Sequence, residues 1–161
     1  MSTYREPLPV VEEILRSLEG IPLILDDFLA HVPADVIATR PSPDRWSIHE
    51  HVCHLGEVEP MFVGRAQQFI DEERPSFTPY DPDEATPGNR LADLVLEDAV
   101  AKMAENRARF VHTLRSLVEE DWEREADHPE YKVYTPLTLA RHALFHDHFH
   151  LYRAEEIAFA P

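Results

Sequence analysis

The stretch TPLTLARHALFHDHFHLYRAEEIA, residues 135–158, decides the fold predicted for this chain. It opens with a threonine, which can cap a helix, and a proline, which suits the first helical position. Apolar residues then recur at helical spacing with no glycine among them. The stretch therefore predicts one long helix to about Ala158, and its buried face is predicted to contain Leu139, Ala143, His146, His150, Arg153 and Ile157.

A second helix is predicted from the word WSIHEHVCHLGEVE, residues 46–59. Ser47 and Glu50 have the spacing of a capping box, in which each side chain accepts a hydrogen bond from the backbone N–H of the other residue. The helix should end near Asp71, and Trp46 is interpreted as a core residue at its start, not as a stacking platform. The inward face is predicted to contain Ile48, Val52, Leu55, Phe62, Ala66 and Phe69.

Prolines mark the connections between helices, since the chain has 14 prolines and only 4 glycines. A first helix is predicted from Val10 to His31, with a kink or a break near Gly20 and Pro22. Together with a third helix that ends near Glu120, the three helices predicted above give an all-α four-helix bundle that occupies residues 1–161 as one domain.

The third helix follows a proline-rich, acidic crossover over residues 74–87. Asn89 is predicted to cap this helix, which should end near Glu120. Residues 121–134 are predicted to be irregular. The inward face of the third helix is predicted to contain Leu96, Val100, Met103, Phe110, Leu114 and Leu117.

The charge of the chain excludes several classes of partner. It carries 31 acidic and 15 basic residues, a formal charge of −16, which repels nucleic acid and anionic membranes. No stretch approaches the roughly 20 apolar residues of a membrane span, and no basic segment followed by an apolar one starts the chain. We therefore expect a cytoplasmic protein that acts on a small molecule, in which the single cysteine, Cys53, forms no internal disulfide.

Histidines supply the candidate functional residues, and six of the ten lie in the words HEHVCH (49–54) and HDHFH (146–150). His146 and His150 are four residues apart, so they lie about 40° apart on one helix face, one turn above each other. His54 lies near the inward side of its own helix. We predict one divalent transition metal bound by His54, His146 and His150; the alternative is that they are hydrogen-bonded core residues without a metal.

The ligand type restricts the metal. Imidazole ligands favour zinc or nickel, with iron, manganese or copper as alternatives, and disfavour magnesium and calcium. Three protein ligands leave a coordination position open for water or substrate, which is typical of catalytic sites. Because ligating imidazoles must be neutral, the metal is expected to dissociate below roughly pH 6.

Two further residues are weaker candidates for a catalytic role. Glu57 lies one turn after His54 and could act as a general base, although an exposed acidic residue is the commoner outcome. His142 lies one turn before His146, and it could contact the ligands or the substrate, or simply end the polar edge of the core.

Other residues of the two histidine words are given structural roles. Cys53 lies about 100° from His54 around the helix, so the two side chains can hardly bind the same ion. It is predicted to be a small buried hydrophobic residue. His49 and His148 are predicted to be exposed, and His51 is a minor candidate for ligation. Asp147 is predicted to point away from the ligands and to form a salt bridge or a helix contact.

The two words in combination carry a family resemblance. WSIHEHVCHLGEVE, the later DWEREADHPEYKVYTPLTLARHALFHDHFHLYRAEEI and the layout of four segments resemble the DinB-like superfamily, which includes YfiT-like metal-binding bundles. The resemblance spans nearly the whole chain. It implies an up-down-down-up bundle with a long second crossover and a metal triad that corresponds to His54, His146 and His150. In some relatives a glutamine-containing word follows the last ligand, whereas LYR stands there in this chain, at residues 151–153.

The resemblance also implies an activity. Relatives with known activity are metal-dependent transferases that use low-molecular-weight thiols, so thiol S-transfer to a small electrophile is the leading hypothesis, with the thiol as a second cofactor. A metal-dependent hydrolase and a non-catalytic metal-binding or sensing bundle are the alternatives. A homodimer is a further expectation from the family.

Overall fold

The computed structural model of the chain describes residues 8–81 and 90–159. The described residues form five α-helices, two short 3-10 turns and one β-hairpin. Four of the helices are long and pack as an all-α four-helix bundle, as predicted. The helices are α1 (Leu8–His31), α2 (Ala34–Ala38), α3 (Ile48–Asp71), α4 (Leu96–Arg115) and α5 (Pro136–Phe159).

The start of α3 has the capping box that its sequence predicts. The Ser47 hydroxyl accepts a hydrogen bond from the backbone N–H of Glu50 at 3.2 Å, and the Glu50 carboxylate accepts one from the backbone N–H of Ser47 at 3.0 Å. The Nε of Arg40 also donates to this carboxylate, at 2.7 Å. Because Glu50 is only 1% exposed, these donors satisfy a buried charge and fix the point at which α3 begins.

α1 is one continuous helix although Pro22 lies inside it, so of the two predicted alternatives, a kink or a break, the break is excluded. A proline leaves the carbonyl four residues before it without its helical partner, and here that carbonyl belongs to Leu18. The guanidinium of Arg107, on α4, donates to it at 3.2 Å. A side chain from another helix thus makes the hydrogen bond that Pro22 cannot make, and α1 continues to His31.

The third long helix, α4, starts later than predicted. The predicted cap, Asn89, lies outside the described residues. A 3-10 turn spans Arg90–Asp93, and the α-helix begins only at Leu96. The interruption allows Leu91, which is buried, to pack against Cys53 of α3. The packing of this 3-10 turn against α3 thus accompanies the late start of α4.

The end of α4 is also earlier than the predicted end near Glu120, because the helix stops at Arg115. The carbonyl of Thr113 in the last turn accepts hydrogen bonds from the Ser116 hydroxyl at 2.6 Å and from the Ser116 backbone N–H at 3.1 Å. A separate 3-10 turn, Glu119–Glu123, follows.

Residues 121–134, which were predicted to be irregular, contain regular structure. β1 (Ala126–His128) pairs antiparallel with β2 (Tyr131–Tyr134). The crossover after α3 adds to this hairpin, since the backbone N–H of Phe77 donates to the carbonyl of Asp127 at 2.8 Å. These strands are three and four residues long, too short for a periodicity to be visible in the sequence.

Contacts between side chains give the directions of the long helices. α3 and α4 are parallel, α5 is antiparallel to α3, and α1 is antiparallel to α4, which is the up-down-down-up arrangement with a long crossover between α3 and α4. The defining pairs are Glu57–Lys102 and Glu59–Arg107 for α3 with α4, His51–His150 and Phe62–His142 for α3 with α5, and Leu18–Arg107 and Glu12–Arg115 for α1 with α4.

The inward faces agree with the sequence on α3 and differ on α5. All six residues predicted to face inward on α3 are at most 1% exposed. On α5 the predicted face is only partly buried, because Arg153 and Ile157 are half-buried. Asp147 is instead completely buried. The buried face of α5 is thus rotated from the predicted face, towards α4.

Candidate metal centre

Three histidine rings meet where α3 and α5 pack together. His54 from α3 and His146 from α5 place their Nε2 atoms 3.0 Å apart. The ring centroid of His150, one turn further along α5, lies 4.6 Å from that of His54 and 4.5 Å from that of His146. Each residue offers one ring nitrogen such that all three lie within 4.8 Å of one another. The four-residue spacing on α5 and the antiparallel packing of α3 produce this convergence.

Burial keeps these imidazoles neutral. His54 and His150 are each 7% exposed. Desolvation lowers the pKa of His54 to about 4, that of His146 to about 3 and that of His150 to about 2, with smaller contributions from neighbouring histidines. The neutral imidazole is the form that ligates metals, so the three donors need lose no proton to bind a cation at neutral pH.

The donor set fits one transition metal. Two nitrogens bonded to one zinc ion at about 2.0 to 2.1 Å, in tetrahedral geometry, lie about 3.3 Å apart, which is close to the separation of His54 and His146. Within the described residues the group that could hold a metal contains only imidazoles and no carboxylate or thiolate. The three side chains could therefore hold one metal ion with a position left open, and their ligation of it stays a prediction.

His51 lies behind one of the three candidate ligands. Its Nδ1 is 2.8 Å from the Nδ1 of His150, and it is 9% exposed. For the Nε2 of His150 to bind a metal, the Nδ1 of His150 must carry the proton and donate it to the Nδ1 of His51. The sequence suggests His51 as a minor candidate ligand, whereas the structure places it where it can orient His150.

Trp46 packs against the histidines, a contact that its sequence position does not predict. Its ring centroid lies 5.4 Å from that of His51 and 5.2 Å from that of His54. It also stacks on His150 at 6.0 Å, with 19° between the ring planes. Trp46 also packs against the buried cluster that contains Cys53, as its interpretation as a core residue predicts, whereas its stacking on His150 was not predicted. Trp46 precedes the helix cap, so helical phase does not determine its direction.

The two weaker catalytic candidates have partners outside the three histidines. Glu57 faces α4, where Lys102 donates to its carboxylate at 2.7 Å. The Nδ1 of His142 and the Tyr134 hydroxyl form a hydrogen bond at 3.1 Å, and the His142 ring packs edge-on against Phe62. Neither belongs to the group that could hold a metal. Their catalytic roles stay predictions.

The remaining residues of the histidine words mostly follow their predicted roles. Cys53 is completely buried, and burial raises the pKa of its thiol to about 12. His148 is exposed. His49 is half-buried, and its Nε2 is buried with no hydrogen-bond partner among residues 8–81 and 90–159, so its predicted exposure is wrong. Asp147 forms the predicted salt bridge, with Arg107.

A buried network of three charged residues could not be fully predicted. Arg107 donates to Asp147 at 2.7 Å and, through its Nε, to Glu59 at 3.2 Å. All three side chains are at most 1% exposed. One signal in the sequence was available: Arg107 lies four residues after Met103 and three before Phe110, on the apolar face of α4.

Comparison with known proteins identifies the family. The model of the DinB superfamily matches residues 19–153, which is most of the chain. The chain belongs to the DinB superfamily. This DinB-superfamily chain is also similar in structure to YfiT from Bacillus subtilis, which is described as a probable metal-dependent hydrolase with an unusual four-helix bundle topology.

The likeness to YfiT concerns the fold. The TM-score is 0.84, with 19% sequence identity over 98% of this chain and 90% of YfiT. At this identity the likeness shows the shared four-helix bundle and no more. A search of curated proteins found no match for this DinB-superfamily chain. Within residues 8–81 and 90–159, no helix combines the length and apolar character that a bilayer crossing requires.

Proposed function

We propose that this DinB-superfamily protein is a metal-dependent hydrolase that acts on a small molecule. The observation that carries the proposal is the convergence of His54, His146 and His150 as three neutral nitrogen donors within 4.8 Å. A divalent ion such as zinc or nickel held there would supply Lewis acidity, which makes water a nucleophile at neutral pH. The description of YfiT as a probable metal-dependent hydrolase supports the same reaction class.

Three neighbouring side chains would assist this reaction. His51 orients His150 through the contact between their Nδ1 atoms. Trp46 covers one side of the rings and excludes bulk water. The hydroxyl of Tyr80 is buried without a partner among the described residues, and the Tyr80 ring lies 6.1 Å from that of His54. It is therefore placed to donate a hydrogen bond to an oxygen of the substrate.

Thiol S-transfer is the second candidate function, and one observation favours it. Hydrolysis commonly uses a carboxylate as general base, yet the group that could hold a metal contains no carboxylate among the described residues. The nearest candidate base in the sequence, Glu57, is paired with Lys102. A thiol needs less help from a base than water does, because its pKa is far lower.

Metal content tests the site before any reaction is known. The protein is purified without a metal-affinity column, and its metals are measured by mass spectrometry. We expect about one zinc or nickel ion per chain, abolished by His146→Ala and by His150→Ala. His148→Ala is the matched control, because His148 lies on the same helix between the two and is exposed. Stoichiometric metal in the two ligand variants, or none in the wild type, would refute the proposed site.

Turnover separates the candidate functions. The metal-loaded and chelator-treated proteins are each incubated with a panel of chromogenic esters, amides and lactones, and separately with low-molecular-weight thiols and a generic electrophile. Metal-dependent hydrolysis without thiol supports the first proposal, whereas a metal-dependent rate that requires thiol supports the second. Bound metal with no rate in either panel would favour a non-catalytic metal-binding or sensing role.

A further inference from the structure

A cleft of about 490 Å³ opens between α3 and the crossover that follows it. Tyr80 lines this cleft and also contacts the candidate metal centre, since its ring centroid is 6.1 Å from that of His54. Met61, Phe77 and Pro79 contribute apolar wall. Tyr80 thus separates the cleft from the metal centre by one side chain, and the cleft can take the body of a small organic molecule.

Arg65 supplies positive charge to the same cleft. Its side chain is 5% exposed, and its guanidinium donates to the Tyr134 hydroxyl at 3.3 Å and to the carbonyl of Thr78 at 2.7 Å. It also lies over the rings of Phe77 and Tyr134, at 5.2 and 5.9 Å from their centroids. All of these partners are neutral.

Arg65 has no ion pair with a carboxylate among the described residues, in a chain with 31 acidic residues. Arg107 provides the contrast, because that guanidinium is also buried but pairs with both Glu59 and Asp147. Asp81 also lines the cleft, but it is exposed, so solvent screens its charge. A buried cation whose partners are all neutral is costly, and an anion from outside would lower that cost.

We propose that this cleft binds the anionic end of the substrate, a carboxylate or phosphate on an apolar body, with Arg65 as its counterion. Arg65 lies eleven residues after His54 on α3, which is about 16 Å of helix rise. The substrate is accordingly elongated, with its charged end at Arg65 and its reactive end past Tyr80 at the metal centre. This assignment of the reactive end rests on the proposed function; the anion subsite does not.

The subsite is tested on metal-free protein with three probes of equal chain length. Hexanoate, hexyl phosphate and the neutral hexanamide are titrated against uniformly ¹⁵N-labelled protein, and dissociation constants are taken from amide shifts. We expect at least one anion to bind about tenfold more tightly than hexanamide, which corresponds to one charge-assisted hydrogen-bonded pair. The stronger of the two anions identifies the headgroup as carboxylate or phosphate.

Variants assign the preference to Arg65. Arg65→Gln should bind all three probes equally, Arg65→Lys should keep part of the preference, and Arg16→Gln, an exposed arginine on α1, should behave as the wild type. Equal binding of anions and amide by the wild type overturns the proposal, as does a full preference in Arg65→Gln. If Arg65→Gln does not fold, the proposal is judged from two measurements: the wild type must bind an anion more tightly than hexanamide, and Arg65→Lys must show a smaller difference. These titrations use metal-free protein. If the metal-content experiment refutes the proposed metal site, the proposed function fails, but the measured preference for anions is unaffected.

Discussion

The guanidinium of Arg107 donates a hydrogen bond to the carboxylate of Asp147 at 2.7 Å, and the two side chains are 1% and 0% exposed. Asp147 directly follows His146, so this contact ties α4 to the turn of α5 that carries the candidate metal centre. Arg107 also pairs with Glu59 on α3, where burial raises the pKa of the carboxyl to about 7. One guanidinium thus connects three helices, and through the carbonyl of Leu18 it reaches the fourth.

Removal of this guanidinium should be strongly destabilising. Arg107→Ala leaves two buried carboxyl groups and a freed helix carbonyl without their donor, and we expect a loss of about 3 to 5 kcal/mol in the free energy of unfolding. Urea denaturation at pH 7 measures it. Arg109→Ala, at an exposed position of the same helix, is the control and should change the value by less than about 0.5 kcal/mol. Equal effects of the two variants would show that the buried network contributes little.

Two glycines of α3 should respond in opposite directions to alanine. A Cβ atom at Gly56 would lie 2.5 Å from the backbone oxygen of Ala99 on α4, whereas one at Gly64 would meet nothing within 4 Å. Gly56→Ala should therefore lower the free energy of unfolding by about 1 to 3 kcal/mol, because the two helices must separate. Gly64→Ala should raise it by up to about 1 kcal/mol through helix propensity. Thermal or urea unfolding checks the sign of each.

Metal binding should change the fluorescence of Trp46, because its ring stacks on that of His150 at 6.0 Å. The second tryptophan, Trp122, is removed by Trp122→Phe, so that Trp46 alone reports. We expect titration with cobalt or copper to quench this variant strongly and Trp46→Phe only weakly. Quenching that depends on Trp122 instead would contradict the placement of Trp46 against the histidines.

Cys53 should be inert in the folded protein. It is completely buried, and burial raises the pKa of its thiol to about 12, so very little thiolate exists at pH 8. We expect no alkylation by iodoacetamide at pH 8 over an hour, and complete alkylation in denaturant. Cys53→Ala should keep the metal content of the wild type. A loss of metal in that variant would show that the thiol belongs to the site.

Acid should destabilise the metal-free protein between about pH 6.5 and pH 4. The pKa of His54 is about 4 in the folded state, whereas an unfolded chain titrates its histidines near 6.5. Unfolding therefore takes up protons in this range. As the pH is lowered, the free energy of unfolding decreases by up to about 1.4 kcal/mol per pH unit for each such histidine. Urea unfolding at pH 7 and pH 5 measures this, and His54→Gln should reduce the slope. A slope unchanged in that variant would exclude His54 as a source.

The same pKa values revise the expected pH of metal loss. The sequence predicts dissociation below roughly pH 6, from the ordinary pKa of histidine. Burial lowers the pKa of His54 to about 4 and that of His146 to about 3, so protons compete with a metal only near pH 4 while the protein stays folded. Metal content after dialysis at pH 6, 5 and 4 distinguishes the two expectations.

Features that depend on neighbours along the chain could be predicted from the sequence. The capping box of Ser47 and Glu50 and the long helix that begins at Pro136 are set by hydrogen bonds within one turn and by apolar periodicity. The convergence of His146 and His150 follows from a four-residue spacing on one helix. These interactions join residues only a few positions apart, so they can be predicted from the sequence without knowledge of the tertiary structure.

The tertiary structure alone decided what depends on a partner distant in the chain. The position of Trp46 against the histidines, the contact between His51 and His150, and the place of Arg65 in the cleft each depend on where a second element lies. The late start of α4 and the continuity of α1 through Pro22 have the same cause, since a contact from another helix outweighs the local preference. Sequence periodicity shows which face of a helix is apolar, but tertiary packing decides which buried polar groups contact each other. In this protein those contacts between elements form the candidate site.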